Sequence, residues 1–229
     1  ELTKNNTELK QFSYITSHNL RAPLTNMIGI FNLLDLSIIK DTKTLQLMDG
    51  LKESTYKLND TLNDLIKILI VKENVHLELE DVSFNNAFNK AVSSVSKIFA
   101  NSNAIFEIDF SQVASVRFSQ MYMESIFLNL LTNAIKFQHP GNRPEIKIKT
   151  SCKDNVVQLH FTDNGVGMDW QKVKNKIFGL YQKFHSNQDS KGIGLYLVHA
   201  QVNALGGSIN LQTELDKGTT FTISFNSKQ

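Results

Sequence analysis

The sequence is poor in cysteine and in long apolar runs, and each shortage excludes a class of protein. Cys152 is the only cysteine among 229 residues, so no intramolecular disulfide and no multi-cysteine zinc site can form. No apolar run approaches the roughly 20 residues of a membrane-spanning helix. Basic and acidic residues nearly balance, at 24 against 22, which argues against a protein that holds nucleic acid mainly through phosphate contacts. We therefore expect no nucleic-acid partner and no membrane contact within this segment.

The length and composition allow one large domain or two small ones, because 41% of the residues are hydrophobic and can form a packed core. A lone cysteine fits a reducing compartment. The chain starts at Glu1 within a helical pattern, without a signal peptide. We expect a cytoplasmic fragment of a longer protein, with any membrane anchor of the full-length protein outside this sequence.

The first third of the chain has the apolar spacing of two long amphipathic helices. Apolar residues recur at three-, four- and seven-residue intervals on both sides of a break near Lys40, Asp41 and Thr42. The two stripes contain Leu2, Leu9, Phe12, Ile15, Leu20, Leu24, Met27, Ile28, Phe31 and Leu34, then Leu45, Met48, Leu51, Leu58, Leu62, Leu65, Ile66 and Leu69. Two such helices form a hairpin. Because one hairpin buries its stripes poorly alone, we predict a four-helix bundle made by two chains in a C2 dimer.

The pattern changes after about Glu73, where short strand-like and helical segments begin to alternate without a clear βαβ signature. The spacing predicts strands over residues 75–79, 104–110, 145–150, 156–162, 208–213 and 219–225. It predicts helices over residues 83–99, 119–137 and 193–205. The sequence thus predicts a helical domain over residues 1–74 and a two-layer α/β sandwich over residues 75–229.

Asn129, Asn133 and Lys136 are the first residues along the α/β part of the chain that indicate a binding site. The two asparagines are four residues apart and share one face of a predicted helix. Amide oxygens can ligate Mg²⁺, which takes hard oxygen donors, and Lys136 can meet a phosphate as a point charge. Asparagines also favour caps and solvated faces. Taken alone, the segment supports a metal site and a plain helix surface equally.

Two glycine-bearing loops follow. Asp163, Gly165 and Gly167 come directly after a predicted strand; glycine lets a backbone approach a ligand closely, and the carboxylate can accept the amino hydrogens of adenine. Gly192 and Gly194 enter a helix whose N-terminus offers free N–H groups to phosphate. Asp-Asn-Gly is also a common turn signal, and the second loop is neither a P-loop nor a Rossmann fingerprint. Each loop alone is therefore weak evidence.

His18 lies in the first predicted helix, in the segment Ser17-His18-Asn19-Leu20-Arg21-Ala22-Pro23-Leu24. Pro23 follows it by five residues, and a proline inside a helix removes a hydrogen bond and kinks the helix. A lone histidine in a helix is usually a satisfied or solvated side chain. The segment supports a function only when it is considered together with the asparagine helix and the two glycine-bearing loops.

Taken in order, these segments resemble the motifs of the sensor histidine kinases of two-component signalling. Ser17–Leu24 resembles the H box of that family, with His18 at the phosphoacceptor position, and Asn129–Phe137 resembles its N box. The first glycine box, the F box, the second glycine box and the small final box are matched by Asp163–Gly167, Ile177–Phe184, Gly192–Leu195 and Gly218–Phe221. The resemblance covers nearly the whole chain. It implies a helical dimerisation and phosphotransfer domain followed by an ATP-binding domain of the Bergerat (GHKL) type.

The resemblance also implies roles for single residues. His18 receives the phosphoryl group of ATP, with Asn19 and Arg21 beside it, while Asn133 and Asn129 ligate Mg²⁺ and Asp163 holds adenine. The other implied ATP-binding residues are Lys136, Phe137, Gly165, Gly167, Tyr181, Lys183, Lys191, Gly192, Gly194 and Leu195. The family further implies transfer to an aspartate of a response regulator receiver domain. The expected cofactors are therefore ATP and Mg²⁺, and the expected partners are a second copy of the chain and a response regulator.

Two alternatives remain beside a kinase. An ATPase of the same Bergerat superfamily usually carries Glu at the position of Asn129 as a general base for water, and an amide cannot take that proton at neutral pH. A scaffold that has lost catalysis is disfavoured because the asparagines, Asp163 and the paired glycines are all present. Asn19 and Ala22 depart from the family pattern, which has an acid directly after the histidine and often Thr or Asn four residues after it. We predict a protein histidine kinase.

Overall fold

The structure is a computed structural model that describes residues 19–72, 78–96, 99, 102–182 and 192–226. The chain divides into two compact units, Glu1–Glu73 and Asn74–Gln229, named here the helical unit and the α/β unit. None of the helices in the described ranges is both long enough and apolar enough to cross a membrane.

The described part of the helical unit is a pair of helices joined by a short loop. Helix α1 covers residues 19–33 and helix α2 covers Thr42–Lys72. Residues 34–41 connect them and include a short 3-10 turn, Leu36–Ile38. The predicted break between two long helices is therefore confirmed.

Side-chain caps set the boundaries of this connection. The carboxylate of Asp35 accepts a hydrogen bond from the backbone N–H of Ser37 at 3.0 Å. The carboxylate of Asp41 accepts from the backbone N–H of Thr44 at 2.9 Å. Both bonds satisfy N–H groups that the start of a helix leaves without a partner. They also lower the pKa of each aspartate, through hydrogen bonds from the side chain and the backbone of Ser37 and Thr44.

The two helices pack through one apolar stripe and leave a second one exposed. Leu24 of α1 forms a buried cluster with Leu62 and Ile66 of α2, and the Tyr56 hydroxyl donates to the side-chain oxygen of Asn32 at 3.1 Å. A second set of residues recurs at seven-residue intervals and stays exposed: Leu20, Met27 and Leu34, then Leu51, Leu58 and Leu65. The spacing of seven places Leu20 and Met27 on one face of α1, with Leu34 directly after its end, and the other three leucines on one face of α2.

The α/β unit contains seven strands and four continuous helices among its described residues, and further helical residues at Ser96, Phe99 and Ser102. The strands are β1 (Glu80–Ser83), β2 (Ile105–Asp109), β3 (Ser115–Phe118), β4 (Glu145–Lys153), β5 (Val156–Asp163), β6 (Ser208–Glu214) and β7 (Gly218–Phe225). The helices are α3 (Phe84–Ser94), α4 (Gln120–Lys136), α5 (Trp170–Val173) and α6 (Gly194–Ala204). Five strands form one sheet in the order β2-β4-β5-β7-β6, and β1 pairs with β3 separately.

Helices α3, α4 and α6 cover one face of the five-stranded sheet. Along β4 the residues alternate: Ile146 and Ile148 are buried, and Lys147 and Lys149 are exposed, as expected of a sheet with one covered face. Helix α4 contacts both α3 and α6. The core between the layers contains Phe84, Phe88, Tyr122, Ile126, Phe127, Leu130, Leu159, Phe161, Ile223 and Phe225. This arrangement is the predicted two-layer α/β sandwich.

Local signals predicted most of the elements. Ser119 caps α4 by accepting from the N–H of Tyr122 at 3.5 Å, and Ser83 caps α3 by accepting from the N–H of Asn86 at 3.4 Å. The predicted α4 and α6 are confirmed, as are β2 and β4 to β7, with ends that shift by a few residues.

Four details differ from the sequence-based expectation. The strand predicted over residues 75–79 is wrong for its described part: residues 78–79 are not in a strand, and β1 starts at Glu80. Helix α3 ends at Ser94, and after a turn at Val95 the described residues Ser96 and Phe99 are again helical. Strand β3 was not predicted, because a four-residue strand carries little periodicity. A crossover does exist: β2 and β4 pair in parallel, with β3 and α4 between them in the chain.

Candidate functional site

The two asparagines of α4 lie against the first residue of α6. A Cβ atom placed on Gly194 would be 2.8 Å from Oδ1 of Asn129 and 3.8 Å from Nδ2 of Asn133. A contact of 2.8 Å is too short for a carbon atom, so the absence of a side chain at Gly194 lets the helix start approach this closely. The fold thus joins two motifs that are far apart in the sequence.

Hydrogen bonds set the direction of the Asn129 amide. Its Nδ2 donates to the backbone carbonyl of Ser125 at 2.8 Å. A carbonyl only accepts, so the amide nitrogen must face it and Oδ1 must face the start of α6. For Asn133, no side-chain hydrogen bond is formed within the described part of the chain. The oxygen of Asn129 is therefore held in place, whereas the amide of Asn133 can adjust.

Asp163 ends β5 as a largely buried carboxylate. It is two residues beyond the buried Phe161 and therefore points toward the helix layer. Burial raises its pKa from 3.8 to about 6, against the effect of hydrogen bonds from the backbone N–H groups of Gly165 and Thr219. The bond from Gly165 measures 2.9 Å. A buried acceptor with few partners is suited to a ligand that donates hydrogen bonds.

The loop after Asp163 packs on the C-terminal end of α4. A Cβ atom on Gly165 would be 2.5 Å from the carbonyl oxygen of Phe137, so this position also requires glycine. The N–H of Val166 donates to the same carbonyl at 2.9 Å, and the carbonyl of Val166 accepts from the N–H of Asp216 at 2.9 Å. The buried carboxylate and the asparagine helix are consequently held next to each other by backbone contacts.

The remaining predicted residues of the α/β unit lie around this arrangement. Lys136 is the last residue of α4 and is half-buried, and Leu195 is half-buried in the first turn of α6. Gly167 and Gly192 have positive φ angles of 59° and 68°. Tyr181 is 57% exposed, so it does not pack into the core.

His18, Lys183 and Lys191 lie outside the described residues, as does the segment between Lys183 and Lys191. Asn19 and Arg21 are described and are exposed on α1.

The sequence patterns did not reveal the residues that hold the Asp163 loop. The hydroxyl of Thr213 accepts from the N–H of Met168 at 2.9 Å and donates to the carbonyl of Gly218 at 3.1 Å. Thr219, which is buried, supplies one of the N–H groups that reach Asp163. Thr213 and Thr219 look like ordinary strand residues in the sequence, so their role appears only in the folded chain.

The donor set fits a magnesium ion that arrives together with phosphate. No group of three or more His, Cys, Asp or Glu side chains able to hold a metal exists among the described residues. The amides of Asn129 and Asn133 would supply only part of a coordination shell. Mg²⁺ usually keeps water and phosphate oxygens as its other ligands, so such a partial set suits it.

Comparison with known proteins agrees with this geometry. Residues 119–229 match the family described as histidine kinase-, DNA gyrase B- and HSP90-like ATPase. The methanogenesis regulatory histidine kinase FilI of Methanothrix harundinacea is 28% identical over 225 residues, which are 96% of this chain and 25% of that protein. The heme sensor protein HssS of Staphylococcus saprophyticus is 27% identical over 220 residues, 94% of this chain and 46% of that protein. The chain spans a quarter to about half of the length of these relatives.

A solved structure shares the fold. Full-length ShkA in complex with AMPPNP superposes with a TM-score of 0.76 at 22% identity, over 94% of this chain and 45% of that one. Similarity to named histidine kinases therefore extends over both units, and the ATPase family covers most of the second. Residues 119–229 of the α/β unit form a GHKL-type ATPase domain, of the family shared by histidine kinases, DNA gyrase B and HSP90, and the chain as a whole is similar to a named histidine kinase.

Proposed function

We propose that this chain is the catalytic core of its kinase: it binds ATP with Mg²⁺, phosphorylates His18, and passes the phosphoryl group to an aspartate of a response regulator receiver domain. The observation that carries the proposal is the contact of Gly194 with the amides of Asn129 and Asn133. It places the amide oxygen of Asn129, a hard donor, and the amide group of Asn133 beside a helix start, where backbone N–H groups favour phosphate. We place this reaction in the cytoplasm, where ATP is available.

The two ends of the site suit the two ends of ATP. The buried carboxylate of Asp163 is an acceptor for the adenine amino group. Phe137 lies near this carboxylate, because the backbone of Gly165 packs between the two residues. The start of α6 and Lys136 offer positive charge to the phosphates. Asn129 and Asn133 would hold Mg²⁺, which when bound neutralises developing phosphate charge as a Lewis acid.

The side chains favour transfer to a protein nucleophile over hydrolysis. Asn129 has an amide where a hydrolase needs a carboxylate base, and an amide cannot activate water at neutral pH. The reference pKa of a histidine side chain is about 6.5, so much of it is neutral at pH 7, and neutral imidazole is a competent nucleophile. One ring nitrogen of His18 would form the bond to the γ-phosphorus while the bond to the β-phosphate oxygen breaks and ADP leaves. The proton on the other ring nitrogen would pass to water, because the amide of Asn19 is not a useful base.

The helical unit supports the proposed dimer. Its exposed stripe contains leucines at seven-residue spacing, among them Leu51 and Leu58 at 51% and 56% exposure. Large apolar side chains in such a row are typical of a helix that packs against another one. A second copy would cover the stripe and complete a four-helix bundle with C2 symmetry.

Autophosphorylation tests the proposed function directly. With Mg²⁺ and γ-labelled ATP, the chain should gain a label that is stable to base and labile to acid. His18→Gln should abolish the label while AMPPNP binding, measured by titration calorimetry, stays intact. Label that persists in the variant would assign the phosphoacceptor to another residue. Addition of a purified receiver domain to the labelled chain should move the label to that domain.

A further inference from the structure

A polar pair, the half-buried Ser125 and the buried Gln201, joins α4 and α6 one turn before Asn129. Gln201 is only 4% exposed, and its Nε2 donates to the hydroxyl oxygen of Ser125 at 3.0 Å. Its Oε1 is buried without a hydrogen-bond partner in the described structure. An unpaired buried amide oxygen is unfavourable, and an apolar side chain would avoid it. Packing stability alone therefore does not explain a glutamine at this position.

The pair acts on the asparagine that faces Gly194. The carbonyl of Ser125 accepts from Nδ2 of Asn129 at 2.8 Å, and the Ser125 hydroxyl oxygen is 3.5 Å from the same nitrogen. A serine hydroxyl rotates unless a partner holds it, and Gln201 provides that partner. With its nitrogen turned toward Ser125, the Asn129 amide directs its oxygen toward the start of α6.

We propose that Ser125 and Gln201 are positioning residues that orient the Asn129 amide for the Mg²⁺ bound with ATP. The inference rests on the proposed function and assigns two further residues to the same site. Neither side chain needs to touch the nucleotide, because both act through Asn129. Residues behind a metal ligand commonly set its orientation in this way.

The competing explanation is that the pair only locks α4 against α6. Such a structural role would weaken nucleotide binding equally with and without Mg²⁺. A role through Asn129 would weaken it only when Mg²⁺ is present. The ratio of the two affinities therefore separates the explanations, and it does not depend on catalytic activity.

The experiment uses the whole 229-residue chain and AMPPNP, titrated by calorimetry in Mg²⁺ and in EDTA. Ser125→Ala and Gln201→Leu should each lower the affinity in Mg²⁺ by about tenfold and leave the affinity in EDTA unchanged. Ser125→Thr keeps the hydroxyl and should bind like the wild type. Thr132→Val is the matched control: Thr132 lies on the same helix, and its hydroxyl donates to the backbone carbonyls of Leu128 at 2.7 Å and Asn129 at 3.1 Å, without a hydrogen bond to the Asn129 side chain.

The double variant tests whether the two residues act as one unit. If they do, Ser125→Ala combined with Gln201→Leu should lose no more affinity in Mg²⁺ than either change alone. Additive losses, equal losses in Mg²⁺ and EDTA, or no loss would each overturn the inference. A wild-type chain that binds AMPPNP no better in Mg²⁺ than in EDTA would instead overturn the proposed magnesium site itself. If Gln201→Leu fails to fold, the affinities of Ser125→Ala in Mg²⁺ and in EDTA still decide between the two explanations, because this variant is a small change in a helix.

Discussion

The helical unit and the α/β unit differ in where they put their large apolar side chains. In the α/β unit, Phe84, Phe127 and Phe161 are fully buried between the sheet and its helices. In the helical unit, a complete stripe that includes Leu51 and Leu58 remains exposed. Because burial of apolar surface is the main favourable term in folding, the α/β unit completes its core within one chain. The helical unit leaves an apolar face exposed.

The units also differ in how their functional residues are assembled. The site around Gly194, Asn129 and Asp163 draws on segments far apart in the sequence. The H-box residues Asn19 and Arg21 lie on one continuous helix and are exposed. The α/β unit therefore depends on its tertiary fold to form its site, whereas the H-box residues of the helical unit come from one continuous segment of the chain. This division predicts that each unit can be impaired without the other.

Disruption of the exposed stripe should give the largest effect. Leu51→Glu with Leu58→Glu places charges where a partner helix would bury leucines. Full burial of one leucine contributes roughly 1.5–3 kcal/mol, and the symmetric dimer repeats each position. We expect the dimer dissociation constant to rise by more than about 100-fold, measured by light scattering across a concentration series.

A matched change in the other unit sharpens this comparison. Met121→Glu alters a side chain in the α/β unit that is 55% exposed, and it should leave the dimer intact. The Leu51 and Leu58 variant should still bind AMPPNP. A wild-type chain that is monomeric at micromolar concentration would rule out the four-helix bundle.

The buried carboxylate should give the next largest effect, on stability against pH. The folded-state pKa of Asp163, about 6, exceeds the ordinary value of 3.8. The stability linked to its proton is therefore full below pH 3.8 and lost as the pH rises through 6. Asp163→Asn cannot ionise, so its stability relative to the wild type should rise by about 2 kcal/mol from pH 4 to pH 7. Urea unfolding at a series of pH values measures this gap, and a constant gap would contradict the raised pKa.

The smallest predicted effect concerns the contact between α4 and α6. Gly194→Ala places a methyl group 2.8 Å from the Asn129 oxygen, so the amide must move. We expect AMPPNP affinity in Mg²⁺ to fall roughly tenfold, or about 1.4 kcal/mol, while the dimer is unaffected. Gly50→Ala is the control, since nothing lies within 4 Å of its added Cβ on α2. Equal affinity in Gly194→Ala and the wild type would show that the close approach has no functional role.

Local patterns in the sequence predicted the long elements better than the short ones. Helix α4 has a Ser119 cap and a sustained apolar spacing, and both signals depend on residues within a few turns. Strands β1 and β3 contain four residues each and pair only with one another, through a contact distant in the chain. Their few residues include Glu80, Asp81 and Arg117, so their composition did not favour a strand.

The motifs located the candidate site, but they could not show its internal arrangement. The order of the boxes along the chain is enough to predict Asn129, Asp163 and Gly194 as site residues. It does not indicate Ser125 or Gln201, because a serine and a glutamine in helices are ordinary residues. Their importance appears only when two helices meet, so that the buried Gln201 reaches the hydroxyl of Ser125.

The sequence by itself determined the helix and strand periods, the caps and the order of the motifs, because these depend on interactions between near neighbours in the chain. Only the tertiary structure decided which apolar stripe of α2 is buried, since Leu58 and Leu62 look alike in a periodic pattern. It also decided the raised pKa of Asp163 and the direction of the Asn129 amide. Burial and hydrogen-bond geometry depend on residues that are distant in the sequence and meet only in the folded chain.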